Sequence, residues 1–235
     1  PTYTPYTCRR QRQMCIRDSP GTPPPTWRAL GALAAVALVF GAIAPVAAQE
    51  AATEPLMLTP AQQEGPFYPV EIPADVDADL TVVGDSETVA LGQPLVLQGL
   101  PLDSTGKPIE GAVVEIWQTD AFGVYLHPGD PGFDDRDPAF QGFGTSTTDA
   151  EGAWAFRTIL PELYGGRPRH IHAKVKVADE TVLTTQVYFS GGDIPDEGTL
   201  EMSGSELDAL LIEVVADTDE DGEAILTAEH RLVVP

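Results

Sequence analysis

Thiol chemistry is the first thing this sequence lacks. Both cysteines, Cys8 and Cys15, fall within the first 20 of 235 residues, so the rest of the chain offers no thiolate nucleophile, no thiolate metal ligand and no disulfide staple. Positive charge is scarce as well: from residue 49 onward eight Lys and Arg stand against 35 Asp and Glu. Such a balance repels nucleic acid and anionic membrane and excludes both as partners, and it suits a solvated surface in an extracellular medium. The apolar run at residues 29–44 is shorter than the ~20 residues that span a bilayer. No repeat of fixed period and no long amphipathic helix pattern is present.

That apolar run follows Arg28 and leads into Val46-Ala47-Ala48, small residues of the kind a signal peptidase cuts after. Residues 1–48 are therefore expected to be an N-terminal extension and a cleaved export signal, which places the mature chain in the periplasm or outside the cell, off the membrane. A retained anchor is the alternative. Arg9-Arg10 stands too far upstream to argue for a folded-export route, and residues 1–20 carry neither a signal nor a domain pattern.

Residues 49–90 are polar and punctuated by proline, with Glu64-Gly65-Pro66-Phe67-Tyr68-Pro69 in their middle, and are expected to form an irregular arm. Short apolar runs bounded by Gly, Pro and Asp follow over residues 91–235. Strands are expected at 94–100, 112–117, 153–158, 173–177 and 184–189, with 210–215 pairing with 224–234 across an acidic turn and only a short helix at 206–211. The expected fold is all-β, an antiparallel β-sandwich with long loops and little helix. The longest loop runs from Tyr125 to Gly144 and is too polar for core.

The densest chemistry lies in Tyr164-Gly165-Gly166-Arg167-Pro168-Arg169-His170-Ile171-His172, which holds two of the chain's four histidines. If the segment after Pro168 is extended, His170 and His172 share a face and can chelate one ion, with Ile171 opposite. By itself a His-x-His pair more often meets solvent than metal. Two imidazoles also leave an ion under-coordinated, and the nearby donors are Glu162 and Tyr164. A tyrosine becomes a ligand only as phenolate, which demands a strong Lewis acid such as trivalent iron. His127 and His230 have no supporting partners. Asp217-Thr218-Asp219-Glu220-Asp221-Gly222 begins like a calcium loop, but Ala228 stands where the twelfth-position carboxylate belongs, so a hairpin turn is expected.

Four blocks carry a resemblance: Trp117-Gln118-Thr119-Asp120-Ala121-Phe122-Gly123-Val124-Tyr125; Thr158-Ile159-Leu160-Pro161-Glu162-Leu163-Tyr164; Arg167-Pro168-Arg169-His170-Ile171-His172; and Thr185-Gln186-Val187-Tyr188-Phe189. In this order and spacing they resemble the intradiol ring-cleavage dioxygenases, and Gln63-Glu64-Gly65-Pro66-Phe67-Tyr68 resembles the approach to that family's catalytic domain. The resemblance implies a mononuclear non-haem Fe(III) held by Tyr125, Tyr164, His170 and His172, with no residue assigned to an organic cofactor. Tyr164 and His170 would be axial and Tyr125 and His172 equatorial, with Tyr164 leaving when a catechol binds. It implies cleavage of a catechol-type ring between its two hydroxylated carbons by O2, giving a muconate-type diacid. Arg167 would stabilise charge developing on the substrate, and Gln186 would help orient the ring or oxygen, with Tyr188 on its strand face.

The sequence departs from the family in its expected export signal, in having an expected irregular arm where catechol-type members carry a helical domain, and at two points near the histidines. Only Gly165-Gly166 separates Tyr164 from Arg167, shorter than in protocatechuate-type members, which leaves the choice of catechol open, and Arg169 stands where a small residue is usual. A homo-oligomer is compatible with the resemblance. Two alternatives remain: a non-enzymatic transthyretin- or prealbumin-like sandwich module, whose turn signatures Gly106-Lys107-Pro108 and Thr148-Asp149-Ala150-Glu151-Gly152 match, and an inactive iron-binding homologue.

Overall fold

The structure is a computed structural model that describes residues 55–191 and 202–235. The expected extension and export signal at 1–48 lie outside the described residues. Among the described residues nine strands follow one another: β1 (Pro94–Asp103), β2 (Val113–Trp117), β3 (Phe143–Thr147), β4 (Trp154–Ile159), β5 (His170–Val177), β6 (Glu180–Phe189), β7 (Leu211–Ile212), β8 (Val214–Thr218) and β9 (Ala224–Val234). They form a four-stranded sheet in the order β4-β1-β9-β8 and a five-stranded sheet in the order β3-β2-β5-β6-β7.

Helix among the described residues is confined to one 3-10 turn, Phe133–Asp135, and to α1 (Gly204–Asp208). Ser203 caps α1 by accepting from the Glu206 N–H, while the Glu206 carboxylate accepts from the Ser203 N–H.

The expected strands are present except that the stretch 210–215 is divided: Leu211 and Ile212 pair with β6, and only from Val214 does the chain pair with β9, in an antiparallel hairpin across the acidic turn. The antiparallel expectation needs one correction: β9 runs parallel to β1 from Leu95/Leu226 to Asp103/Val234, and β7 runs parallel to β6. β9 reaches the β1 edge after a crossover through α1, β7 and β8, which carries it back in the same direction; apolar alternation marks a strand but not its direction. β3 was not expected, because Phe143-Gly144-Thr145-Ser146-Thr147 reads as the end of the long loop. Its pairing with β2 makes it a strand.

The two sheets enclose a core of Leu95 and Leu97 from β1, Trp154 and Phe156 from β4, Val114 and Ile116 from β2, and Ile171, Ala173 and Val175 from β5, with Leu232 and Val234 from β9. A second, smaller aromatic layer covers the outer face of the five-stranded sheet. Trp117, Tyr125 and Phe143 form its centre, with Phe67, Tyr68 and Tyr164 packed on them. β5 is thus buried on both faces, and this second layer is where polar side chains accumulate.

His230 lies on β9 away from that layer, buried, with its Nε2 unpartnered and its pKa held down from 6.5 to about 4 by burial. Below pH 6.5 the unfolded chain takes a proton there that the folded chain refuses, so stability is lost as pH falls from 6.5 towards 4. His230→Leu should remove this contribution. The stability gap between variant and unaltered protein, measured by denaturant unfolding, should shift by roughly 3 kcal/mol in the variant's favour across that interval.

Candidate metal centre

Register places the site before any loop is considered. His172 on β5 pairs with Trp117 on β2 and Gln186 on β6, and His170 pairs with Tyr188. Side chains at alternate positions share a face, so Ile171 and Ala173 enter the core while His170, His172 and Lys174 enter the aromatic layer.

The long loop expected from Tyr125 to Gly144 is ordered by buried carboxylates. Asp120 Oδ1 accepts from the Phe122 and Val124 N–H groups at 2.8 and 3.0 Å, and its Oδ2 accepts from the Asp137 N–H at 2.7 Å. Asp130 accepts from the Tyr125 N–H at 3.0 Å and the Gly132 N–H at 2.8 Å. Gly123 sits at φ +79° with its Cα hydrogen towards Leu163; a Cβ would come 2.5 Å from the Leu163 carbonyl oxygen. This close approach brings the Tyr125 loop against the segment carrying Tyr164.

The Tyr125 hydroxyl lies 3.0 Å from His170 Nε2 and 3.2 Å from His172 Nε2. His170 Nδ1 lies 2.7 Å from the Pro168 carbonyl, which assigns the ring proton to Nδ1 and leaves the Nε2 lone pair facing the phenol. The Tyr164 ring stands edge-on to Tyr125 at 5.3 Å, and its hydroxyl makes no hydrogen bond among the described residues. Phe67 stacks on Tyr125 at 5.0 Å and meets Tyr164 edge-on at 5.2 Å.

Arg167 reaches over this cluster, with Nη1 3.4 Å from His170 Nε2 and Nη2 donating to Gln186 Oε1 at 2.7 Å. Gln186 Oε1 also accepts from the Tyr188 hydroxyl at 3.2 Å, and its Nε2 donates to the Gln63 carbonyl at 2.9 Å. Both ends of the Gln186 amide are committed, so it holds Arg167 in place, where the sequence reading had it orienting a ring or oxygen.

Burial drives His170 down to about 4 and His172 to about 2, with the Arg167 charge adding to both. At neutral pH both are neutral bases. Burial raises the Tyr125 phenol above its ordinary range against the pull of Arg167, and burial followed by the Asp130 charge raises Tyr164. Neutral imidazoles beside phenols that resist ionisation are a donor set that only a strong Lewis acid completes. The spacing fits as well: donors bound to one ion at about 2.1 Å and roughly at right angles lie about 3 Å apart. Among the described residues no group of three or more His, Cys, Asp and Glu side chains is arranged to hold a metal ion; the mixed Tyr/His set is the metal candidate on its own geometry.

The remaining expectations also have their places. His127 accepts from the Gly129 N–H at 2.9 Å as a loop residue. Glu162 pairs with Arg169 at 3.4 Å, away from the histidines. Asp219 accepts from the Asp221 and Glu223 N–H groups at 3.1 and 2.9 Å, forming a hairpin turn. Sequence reading missed Phe67, Asp130 and Lys174 as site residues; Lys174 left a signal two residues beyond His172 on the same strand face, Phe67 only the family resemblance of its block, and Asp130 none.

Comparison with known proteins bears on this geometry. The family described as "Dioxygenase" matches residues 63–167. The protocatechuate 3,4-dioxygenase beta chain of Burkholderia cepacia is 36% identical over 177 residues, covering 69% of this chain and 74% of that one. The chain belongs to the intradiol ring-cleavage dioxygenase family. Catechol 1,2-dioxygenase 2 of Acinetobacter lwoffii is 34% identical over 152 residues, 57% of this chain and 52% of the relative, so this chain spans about half of that relative's length. The dioxygenase domain of a dioxygenase–carbohydrate-binding fusion from Streptomyces sp. SirexAA-E superposes with a TM-score of 0.55 at 30% identity, covering 75% of this chain and 97% of that domain. Membership of the intradiol family sets aside the non-enzymatic prealbumin-like alternative. The family match begins at residue 63, so the segment that carries Phe67 belongs with the dioxygenase domain.

Asp130 is only 5% exposed, and Asp130→Ala leaves the Tyr125 and Gly132 N–H groups without their acceptor. The expected cost is about 1–3 kcal/mol of unfolding free energy for each donor left unpaired, read by denaturant titration.

Proposed function

We propose that this chain is an Fe(III)-dependent intradiol dioxygenase that opens a catechol-type ring between its two hydroxylated carbons with O2, giving a muconate-type diacid. The observation that carries the reading is the convergence of the Tyr125 hydroxyl on both His170 Nε2 and His172 Nε2, at 3.0 and 3.2 Å, with Tyr164 alongside. Tyr125, Tyr164, His170 and His172 would hold the iron. Bound there, a ferric ion would acidify phenols and draw electron density from a ligated diol.

The protein's own groups account for the rest. Tyr164 is the less buried phenol and its hydroxyl makes no hydrogen bond among the described residues, so it is the one free to give way to substrate; ionised by a bound ferric ion, its Oη would take a proton from one ring hydroxyl as it leaves. Tyr125, 2% exposed and with its backbone held by Asp130, stays. Arg167, fixed by Gln186, presents a guanidinium where negative charge develops on the opening ring. Phe67 and the surrounding aromatic layer keep water from the reacting carbons. Export directed by the extension and signal at residues 1–48 is part of the proposal, and the substrate would then be met outside the cytoplasm.

Two of the cations near the site are already paired with carboxylates, Arg169 with Glu162 and Lys174 with Glu64, while Arg167 is held by the neutral Gln186 amide over the reacting part of the ring. A ring bearing its own carboxylate gains no counter-ion from Arg169 or Lys174 and meets a strongly acidic protein. Neutral catechol should therefore exceed protocatechuate in kcat/KM by about tenfold or more, and the gap should narrow as salt screens the field.

Iron-loaded protein should be red to brown and should consume O2 with catechol. The Tyr125→Phe/Tyr164→Phe double variant should lose the colour, while Arg167→Met should keep it and lose about 100-fold or more in kcat/KM. A preparation that stays colourless after iron reconstitution overturns the dioxygenase reading. Colour without O2 uptake on any catechol favours the inactive iron-binding homologue.

A further inference from the structure

The two histidines of the centre are held in different ways. His170 is fixed by its Nδ1 contact to the Pro168 carbonyl, whereas His172 Nδ1 is buried with no partner. A stack fixes the His172 ring instead: Trp117 lies parallel to it, centroids 4.8 Å apart and planes 9° apart. Tyr68 stands edge-on to Trp117 at 5.0 Å, and Gly65, at φ +76°, lies so close that a Cβ there would be 3.3 Å from His172 Cε1. Gly65 and Tyr68 both come from the segment at residues 64–68, which also supplies Phe67 to Tyr125.

Lys174 ties that segment down. Its side chain is only 9% exposed, and its Nζ lies 2.7 Å from Glu64 Oε2, 3.6 Å above the Tyr68 ring and 5.6 Å from the Trp117 ring. Tyr68 in turn donates to Glu115 Oε2 at 2.9 Å, and Lys176 pairs with the other Glu115 oxygen. A buried ammonium is costly unless it is paired and its field is used. Here one charge engages a carboxylate and an aromatic face of the same segment.

We propose that Lys174 is a positioning residue of the metal centre: by latching Glu64 and Tyr68 it presses Trp117 onto the His172 imidazole and fixes the plane of that ligand. This role rests on the iron-binding reading above. It gives Lys174 no contact with substrate, and it makes the segment at residues 64–68 a working part of the centre.

The test uses iron-loaded full-length protein and follows the rate of iron loss to an external chelator, together with the position of the visible charge-transfer band. Lys174→Met should speed iron loss by about 10- to 100-fold, the usual effect of removing an outer support of a metal ligand, and should move the band. Lys174→Arg, which keeps a cation over the rings, should restore much of both. Glu64→Gln, at a side chain 46% exposed, should act in the same direction more weakly, and it carries the test if Lys174→Met does not fold. Val114→Ala in the sandwich core should lower Tm without changing iron loss, which separates positioning from general stability. Unaltered iron loss in Lys174→Met, or in Glu64→Gln where the former does not fold, overturns the proposal while leaving iron binding intact. So does iron loss that rises in Val114→Ala as it does in Lys174→Met. An unaltered protein that takes up no iron overturns the iron reading itself.

Discussion

The site depends on one strand that is buried on both faces. The two-residue alternation of β5 sends Ile171, Ala173 and Val175 into the sandwich core and His170, His172 and Lys174 into the aromatic layer on the other side. Polar groups on a buried face must find partners, because each one left unpaired costs on the order of 1–3 kcal/mol. His170 finds the Pro168 carbonyl and the Tyr125 hydroxyl, and Lys174 finds Glu64 and the Tyr68 face. Satisfying this face is what draws the Tyr125 loop and the segment at residues 64–68 together over β5. Catalytic geometry and local packing are the same set of contacts.

Burial also sets the electrostatics. Two imidazoles are forced to stay neutral and two phenols are held above their ordinary range, with one guanidinium within reach; on the proposed reading a highly charged cation would bind there with release of phenolic protons. Carboxylates, abundant elsewhere in the chain, are kept out of this pocket: Asp120 and Asp130 spend their oxygens on backbone N–H groups, and Glu162 on Arg169. A hard divalent ion such as calcium therefore meets few of the oxygen ligands it prefers. The donor set favours an acid strong enough to ionise tyrosine.

Much of this was legible in the sequence because it is periodic or local. Alternation along residues 170–177 gave the shared face of His170 and His172, and Gly/Asp turns marked most strand ends. What stayed hidden is settled between distant segments. The direction of β9 follows from a crossover that apolar alternation does not encode. β3 reads as loop because Gly, Ser and Thr become a strand only against β2. The anchoring of Tyr125 by Asp130 looks like any polar turn until the buried acceptor is seen. Phe67, more than 50 residues from Tyr125, has no signal except the family resemblance around Glu64-Gly65-Pro66. Gln186 was expected in the site, and its hydrogen bonds turn it towards Arg167.

The central claim is that Tyr125 and Tyr164 are both ligands of one ferric ion and that only Tyr125 remains when a diol binds. Resonance Raman spectroscopy of the iron-loaded protein, before and after anaerobic addition of catechol, tests it most directly. The account predicts two distinguishable tyrosinate signals before addition and one after, with the Tyr164→Phe variant showing a single signal throughout. Absence of any tyrosinate signal, or two signals that persist unchanged beside bound catecholate, contradicts it.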